Sequence, residues 1–290
     1  MGGTQSTPEQ PPFLSTPWRT INWKDYQNPL QYVESYKLPS EGKQIRILLH
    51  GPVGAGKSSF INSVQSVLHG RIYVQALSDT GFKYSFTEKY TAYKIQKLDQ
   101  RSFYPFVFND IMGLSPINGV LVDDVKLALM GHVKEGYKFN IESKLSDADP
   151  HYIKSPTDND KVHILVCVIN ADNLTLMHQA TLQQIREIRG KASELGIPQV
   201  VILTKIDKAY PELKENLRNV YKVASLKKKM EQFSADVGIP MNCMFPVKNY
   251  SEEIELNSDT DCLILSALRN IINFGGDCVN FRTNPSGRLD

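Results

Sequence analysis

The sequence predicts an α/β fold in which a mostly parallel central sheet lies between two layers of helices. Three observations support this prediction. Short apolar segments alternate with helical patterns from residue 44 onward. The segment 162–169 is almost continuously apolar, as expected for a central parallel strand that is buried on both faces. A glycine-rich turn at 51–56 separates the first strand from the first helix of the series.

Each predicted element rests on its own pattern. Partial alternation of apolar and polar residues predicts one or two strands within 82–98, and Pro105 weakens the strand at 103–108. Gly196 and Pro198 are expected to end the longest central helix. The predicted strands are 44–50, 82–98, 103–108, 162–169, 199–203 and 244–247. The predicted helices are 57–68, 123–130, 175–195, 211–220, 225–236 and 260–273.

The chain is expected to form a single domain with loose ends. Residues 1–17 are rich in Pro, Ser, Thr and Gln and are expected to be disordered. The aromatic-rich leading segment 18–43 is expected to pack against the domain, which extends to residue 281. Within it, 132–160 is a polar, irregular insertion, and 282–290 is expected to be a flexible tail.

The composition is ordinary for a globular protein. The 290 residues are 41% hydrophobic and 22% charged, and the 33 basic and 31 acidic residues leave a net charge of +2. Such a small, well-mixed charge gives no reason to expect a nucleic-acid partner. The four cysteines show neither metal-ligand nor disulfide spacing, so we expect a reducing compartment.

The N-terminus carries one motif that concerns membranes. Gly2 and Ser6 match the myristoylation pattern, although an unmodified disordered terminus is the favoured interpretation. A single acyl chain on Gly2 would give only weak membrane contact. No predicted apolar segment reaches the ~20 residues needed to span a bilayer.

The segment 51–58 reads G-x-x-x-x-G-K-S directly after the first predicted strand. Its glycines allow backbone N–H groups to face phosphate oxygens, and the dipole of the following helix attracts negative charge. Lys57 would reach the terminal phosphates, and Ser58 would bind Mg²⁺. We therefore expect a bound nucleoside triphosphate; a ligand-free turn is the alternative. The predicted phosphate-binding residues are Val53, Gly54, Ala55, Gly56, Lys57, Ser58, Ser59 and Gly113.

The segment 204–207 follows a predicted strand and fits the pattern [N/T]-K-x-D. The Asp207 carboxylate could accept the two N–H donors at the edge of guanine, whereas adenine has no donor at N1. The aliphatic stem of Lys205 would lie along the base. The segment 247–249 stands where a short loop would support the base edge through backbone contacts. The alternatives are that Asp207 only caps a helix and that 247–249 is a plain strand end. The predicted guanine-binding residues are Thr204, Lys205, Asp207, Val247 and Lys248.

A third motif, D-x-x-G at 110–113, follows the strand 103–108. Asp110 would hold Mg²⁺ through a water molecule, and the Gly113 amide would contact the γ-phosphate. Thr80 is the first choice for the threonine that completes the magnesium shell, and Thr87 is the second. The predicted metal ligands are Ser58, Asp110 and Thr80. The order of the three motifs predicts a P-loop, G-domain-like fold that binds GTP or GDP with Mg²⁺.

Leu114 occupies the position where Ras-like proteins carry the glutamine that orients the attacking water. Leucine offers no hydrogen bond, so no catalytic residue is assigned. The expected activity is at most weak GTP hydrolysis, unless a partner protein or a second copy, docked through the nucleotide face, supplies a catalytic group.

The chain resembles the interferon-induced protein 44 family. The resemblance rests on segments 51–60, 110–114 and 247–250 and on 17–19, and it covers about 18–281. It implies a cytoplasmic, GTP-binding, interferon-induced protein of the antiviral or immune response. An ATP-dependent P-loop enzyme and a scaffold that binds nucleotide without hydrolysing it are the alternatives.

Overall fold

A six-stranded sheet forms the centre of the computed structural model, in the order β2-β3-β1-β4-β5-β6. The strands are β1 (Ile45–His50), β2 (Thr91–Gln96), β3 (Phe103–Asp110), β4 (Ile164–Asn170), β5 (Gln199–Thr204) and β6 (Met244–Pro246). The structure describes residues 13–25, 27–39, 42–76, 87–99, 101–174 and 176–283. Gly2, Thr80 and the residues from 284 onward lie outside that part of the chain. Among the six strands of the described residues, only the β2–β3 pair is antiparallel, which confirms the predicted α/β fold with a mostly parallel sheet.

Helices cover both faces of this sheet. They are α1 (Gln27–Ser35), α2 (Lys57–His69), α3 (Val122–Met130), α4 (Gln179–Glu194), α5 (Ile206–Ala209), α6 (Glu212–Glu215), α7 (Ala224–Val237) and α8 (Ser258–Thr283). One group consists of α1, α2 and α8, and a second consists of α3, α4 and α7. β4 is buried at every position except its last residue, as a central strand with covered faces must be.

Two predicted helices differ from the observed ones. The expected helix at 211–220 is interrupted at Asn216, which has extended backbone and whose side chain accepts a hydrogen bond from the Arg218 amide. Asn216 therefore ends α6 and caps a separate 3₁₀ turn. The helix expected from 175 begins at 179 instead. His178 is its N-cap, and the His178 ring accepts a hydrogen bond from the Ala180 amide.

The predicted disordered segment 1–17 extends too far along the chain. Phe13 forms a bridge with Val223, and the Leu14 amide donates to the Lys222 carbonyl at 2.8 Å. These backbone bonds attach the chain to the turn that precedes α7. Ordered packing therefore begins before residue 18.

Arg19 attaches the leading segment to the end of the sheet that carries β6. Its guanidinium lies 5.4 Å from the ring centre of Tyr221 and 5.6 Å from that of Phe245. It also donates to the carbonyls of Met244 at 2.6 Å and Met241 at 2.5 Å. Cation–π and hydrogen-bond contacts thus hold this segment beside the chain that enters β6.

The last helix is longer than predicted, because α8 continues to Thr283 rather than ending at 273. By length and composition alone it could cross a membrane, contrary to the expectation that no segment would. However, 67% of its most apolar stretch is buried inside the domain. It packs against α1, α2, β1 and β4, so its apolar side chains are those of a core helix.

The insertion 132–160 contains no helix or strand but is tied to the domain. Val133 forms a bridge with Tyr152 inside the insertion. The buried Asp124 of α3 accepts the Leu145 amide at 2.8 Å and the Tyr137 hydroxyl at 3.3 Å. The irregular backbone of the insertion is therefore packed onto α3.

Candidate nucleotide site

The phosphate loop, residues 51–56, connects β1 to α2 and needs glycine at both ends. Gly51 has φ 140°, and a Cβ there would overlap the carbonyl oxygen of Val168 in β4. Gly56 has φ 90° and is the N-cap of α2, where no side chain caps the helix. The N-terminus of α2 therefore keeps the positive end of its dipole open to an anion.

Lys57 is buried beneath this loop. Its Nζ lies 3.5 Å from the Gly51 carbonyl and 3.4 Å from the Pro52 carbonyl. Burial lowers the pKa of Lys57, and Asp110 opposes that shift. Burial, followed by the charge of Lys57, lowers the pKa of His50 to about 3, so His50 is neutral near pH 7. A phosphate anion beside Lys57 would favour the charged ammonium and so oppose the effect of burial on its pKa.

Three oxygen-bearing side chains meet where β1 and β3 end. The Ser58 hydroxyl donates to Asp110 Oδ2 at 2.5 Å, and the Thr87 hydroxyl lies 3.4 Å from the same oxygen. Asp110 is buried, and its Oδ1 has no hydrogen-bond partner among the described residues. Burial raises the pKa of Asp110, against the effect of Lys57 and the two hydroxyls.

This set of oxygen ligands suits Mg²⁺, which prefers carboxylate, hydroxyl and phosphate oxygens. Within the described ranges, no group of three His, Cys, Asp or Glu residues could hold a metal. A magnesium ion here would depend on Asp110, the two hydroxyls and ligand phosphates. Thr87, the second candidate for the magnesium-binding threonine, lies beside Ser58 and Asp110. Thr80, the first candidate, lies outside the described residues.

The loop after β3 is joined to the phosphate loop by backbone hydrogen bonds. The Leu114 amide donates to the Gly51 carbonyl at 2.9 Å, and the Val53 amide donates to the Leu114 carbonyl at 3.2 Å. Leu114 is only 2% exposed and belongs to the core. A Cβ at Gly113 would lie 2.7 Å from Val53 Cα, so the two loops touch closely.

Two amides of the phosphate loop form hydrogen bonds that stabilise the loop itself. The Val53 amide donates to the Leu114 carbonyl, and the Ala55 amide donates to the Pro52 carbonyl at 3.2 Å. The predicted phosphate contacts of residues 53–59 and of Gly113 stay predictions. Ser59 is partly exposed on the lining of the adjacent cleft.

Three consecutive carbonyls of the phosphate loop accept hydrogen bonds from the end of β5 and from the loops after β5 and β6. Lys205 Nζ donates to the Gly54 carbonyl at 2.8 Å, and the Thr204 hydroxyl donates to the Ala55 carbonyl at 2.5 Å. Asn249 Nδ2 donates to the Gly56 carbonyl at 3.1 Å. The residues predicted to recognise the base therefore also hold the loop predicted to bind the phosphates.

A cleft of about 370 Å³ lies beside these contacts, between α2 and the loops after β5 and β6. Asp207 lines it, and its carboxylate has no hydrogen-bond or ion-pair partner among the described residues. Lys205 is the N-cap of α5 with φ 56°, and no side-chain hydrogen bond caps that helix. Asp207 is thus not serving as the cap that the alternative interpretation required.

The residues after β6 have different surroundings. Val247 is fully buried, and its amide donates to the Leu203 carbonyl at 2.7 Å. Lys248 forms an ion pair of 2.7 Å with Glu253, a residue that lines the cleft. Asn249, the last residue of the segment 247–249, also lines the cleft. The backbone contacts predicted for 247–249 stay predictions.

Comparison with known proteins places the chain in a family. No family model matches the sequence. Interferon-induced protein 44 of Pan troglodytes is 35% identical over 231 residues, which are 79% of this chain and 52% of that protein. Its counterpart from Mus musculus is 33% identical over 248 residues, which are 85% and 58% of the two chains. The chain belongs to the interferon-induced protein 44 family.

This member of the interferon-induced protein 44 family spans about half the length of the curated relatives it matches. Among solved structures it is similar to Toc33 from Arabidopsis thaliana in complex with GDP and Mg²⁺. The TM-score is 0.50, the sequence identity is 13%, and the match covers 87% of this chain and 92% of Toc33. At that identity the likeness shows the shared P-loop fold.

Proposed function

We propose that this chain is a guanine-nucleotide-binding protein that uses Mg²⁺ and acts as a switch or a slow GTPase. The observation that carries the proposal is the hydrogen bonding of Thr204 and Lys205 to the phosphate loop, beside a cleft that Asp207 lines. These contacts join the guanine motif to the triphosphate motif at the carboxyl ends of parallel strands, where such folds bind ligands.

Each polar group has a role in this proposal. Lys57 would pair with the terminal phosphates, while Ser58, Thr87 and Asp110 would hold the magnesium ion. The ion would neutralise charge on the phosphates. The Asp207 carboxylate would accept the N1 and N2 donors of guanine and would face an unpaired acceptor in adenine. Toc33, solved with GDP and Mg²⁺, supports the choice of ligand.

Hydrolysis is proposed to be slow because Leu114 is both apolar and buried. A partner protein, or a second copy docked on the nucleotide face, could supply the missing group. The backbone bonds of Leu114 to Gly51 and Val53 also favour a second candidate, a scaffold that keeps its nucleotide without hydrolysing it. Single-turnover hydrolysis with dilute and concentrated protein separates the two, since only a GTPase activated by a second copy gains rate with concentration.

The family relationship supports a biological setting. The relatives are named for induction by interferon, and we propose that this protein is likewise interferon-induced, cytoplasmic and part of an antiviral or immune response. Reporter measurement of its transcript with and without interferon, together with microscopy of the tagged full chain, tests these points. Uniform expression or a non-cytoplasmic distribution would contradict them.

Binding of fluorescent GTP, ATP and XTP to Lys57→Ala and Asp207→Asn tests the ligand assignment. Lys57→Ala should weaken triphosphate binding by about 100-fold, since a hydrogen bond to a charged group contributes up to ~3 kcal/mol. Asp207→Asn should move the preference from guanine to xanthine, whose carbonyl accepts a donor.

Lys154→Ala is the control for Lys57, because Lys154 is an exposed lysine of the insertion and does not line the cleft. Its affinity should stay close to that of the wild type. Equal binding of ATP and GTP by the wild type would favour an ATP-dependent enzyme and reject the role of Asp207.

A further inference from the structure

We propose that Asn249 is a positioning residue, whose amide holds the Gly56 carbonyl and thereby aims the N-terminus of α2 at the phosphates of the bound nucleotide. This inference rests on the proposed function and adds a residue to it. Asn249 follows β6, nearly two hundred residues from the phosphate loop in sequence, and reaches Gly56 through a hydrogen bond of 3.1 Å.

The Gly56 carbonyl accepts two hydrogen bonds. It accepts the Phe60 amide at 2.9 Å, which is the first hydrogen bond of α2, and it also accepts Asn249 Nδ2. Gly56 has φ 90°, and glycine restrains its own backbone less than any other residue. Asn249 therefore adds a second restraint on this peptide, from outside the helix.

The side-chain amide of Asn249 can hold the Gly56 carbonyl in only one of its two orientations. A carbonyl can only accept a hydrogen bond, so Nδ2 rather than Oδ1 must face Gly56. The other end of the amide, Oδ1, is buried and has no partner among the described residues. No competing contact therefore turns the amide away from Gly56.

Asn249 and Thr204 also pack closely around Gly56. A Cβ built on this residue would lie 3.1 Å from Asn249 Nδ2 and 3.4 Å from Thr204 Oγ1. Thr204 holds the preceding carbonyl, that of Ala55. Asn249 and Thr204 thus fix two successive peptides directly before the helix turn that contains Lys57 and Ser58.

Asn249 also lines the cleft that would take the base, so a direct base contact is the competing interpretation. The two roles differ in what they discriminate. A residue that acts through the phosphate loop changes affinity equally for every base, whereas a residue that touches guanine changes the ratio between bases. Inosine triphosphate lacks the 2-amino group of guanine, so it distinguishes the positioning role from a contact to that group.

The experiment compares the affinities of fluorescent GTP and ITP, with Mg²⁺, for wild type, Asn249→Ala and Asn249→Asp. We expect Asn249→Ala to weaken both ligands by the same factor, about five- to tenfold, as for one hydrogen bond. Asn249→Asp should weaken both further, because a carboxylate oxygen would then face the Gly56 carbonyl. Asparagine and aspartate have the same shape, so this second comparison stands even if the alanine variant folds poorly.

Asn270→Ala is the matched control, since Asn270 Nδ2 also donates to a helical carbonyl, that of Ser266, but within α8. It should leave both affinities unchanged. Unchanged affinities in a folded Asn249→Ala, or an altered GTP-to-ITP ratio, would overturn the positioning role. Failure of the wild type itself to bind GTP would instead reject the proposed function, so the two failures are distinguishable.

Discussion

The phosphate loop is held from two sides, and the two sides hold it differently. On the recognition side, the end of β5 and the loops after β5 and β6 contribute the side chains of Thr204, Lys205 and Asn249, which donate to three consecutive carbonyls. On the hydrolysis side, the loop after β3 uses backbone groups of Leu114, and its side chain enters the core.

The difference separates binding from catalysis. The side-chain donors on the recognition side do not contact Asp207, which lines the adjacent cleft without a hydrogen-bond partner among the described residues and is proposed there to meet the base. Backbone pairing on the hydrolysis side places an apolar, buried residue where a water-orienting group would be required. The same loop is thus built to hold a nucleotide but has no group of its own, at that position, to hydrolyse it.

The largest expected effect comes from breaking the hydrolysis side at Gly113. Gly113→Ala would place a Cβ 2.7 Å from Val53 Cα, which forces the two loops apart. We expect a loss of about 2–3 kcal/mol in the free energy of unfolding, as for other overpacked sites. Chemical denaturation of the ligand-free protein measures it.

Gly190→Ala provides the matched control, because a Cβ on that glycine of α4 meets no atom within 4 Å. Alanine should stabilise this helix by about 0.5–1 kcal/mol. Equal stability of the two alanine variants would mean that the loop after β3 moves freely away from the phosphate loop.

A smaller effect is expected from giving the hydrolysis side the residue it lacks. Leu114→Gln should cost about 2 kcal/mol of stability, because an amide would be buried without a partner. The rate of GTP hydrolysis should not rise, since position 114 faces the core rather than the nucleotide. Single-turnover assays measure the rate.

Leu129→Gln, at an equally buried position in α3, controls for the cost of burying an amide. A tenfold or greater gain in hydrolysis for Leu114→Gln alone would show that the side chain reaches the nucleotide. The contrast between the two sides of the loop would then fail.

The smallest of these effects is expected on the recognition side. Thr204→Val keeps the shape of the side chain but removes the hydroxyl that donates to the Ala55 carbonyl at 2.5 Å. We expect a loss of about 1 kcal/mol in unfolding free energy, the typical value of one hydrogen bond. Thr283→Val removes the hydrogen bond from the Thr283 hydroxyl to the Val279 carbonyl, near the end of α8, and should have less effect. Identical losses in both variants would mean that Thr204 does not restrain the loop.

Short-range patterns predicted the local structure around the binding motifs, because each motif is encoded in a few adjacent residues. The spacing in 51–58 specifies a strand, a tight turn and a helix, and the structure contains all three. Asp110 and Ser58 were paired from motif order alone, and their side chains meet at 2.5 Å. Choosing between Thr80 and Thr87 depended on the path of a long loop, for which no local pattern exists.

By itself, the sequence determined the α/β class, the phosphate loop and the apolar character of position 114, because these follow from residue type and spacing. Tertiary structure alone decided that Leu114 is buried against the phosphate loop and that Asn249 reaches Gly56. Both contacts join segments far apart in the chain. Their geometry depends on how parallel strands align their carboxyl ends, which no local sequence pattern specifies.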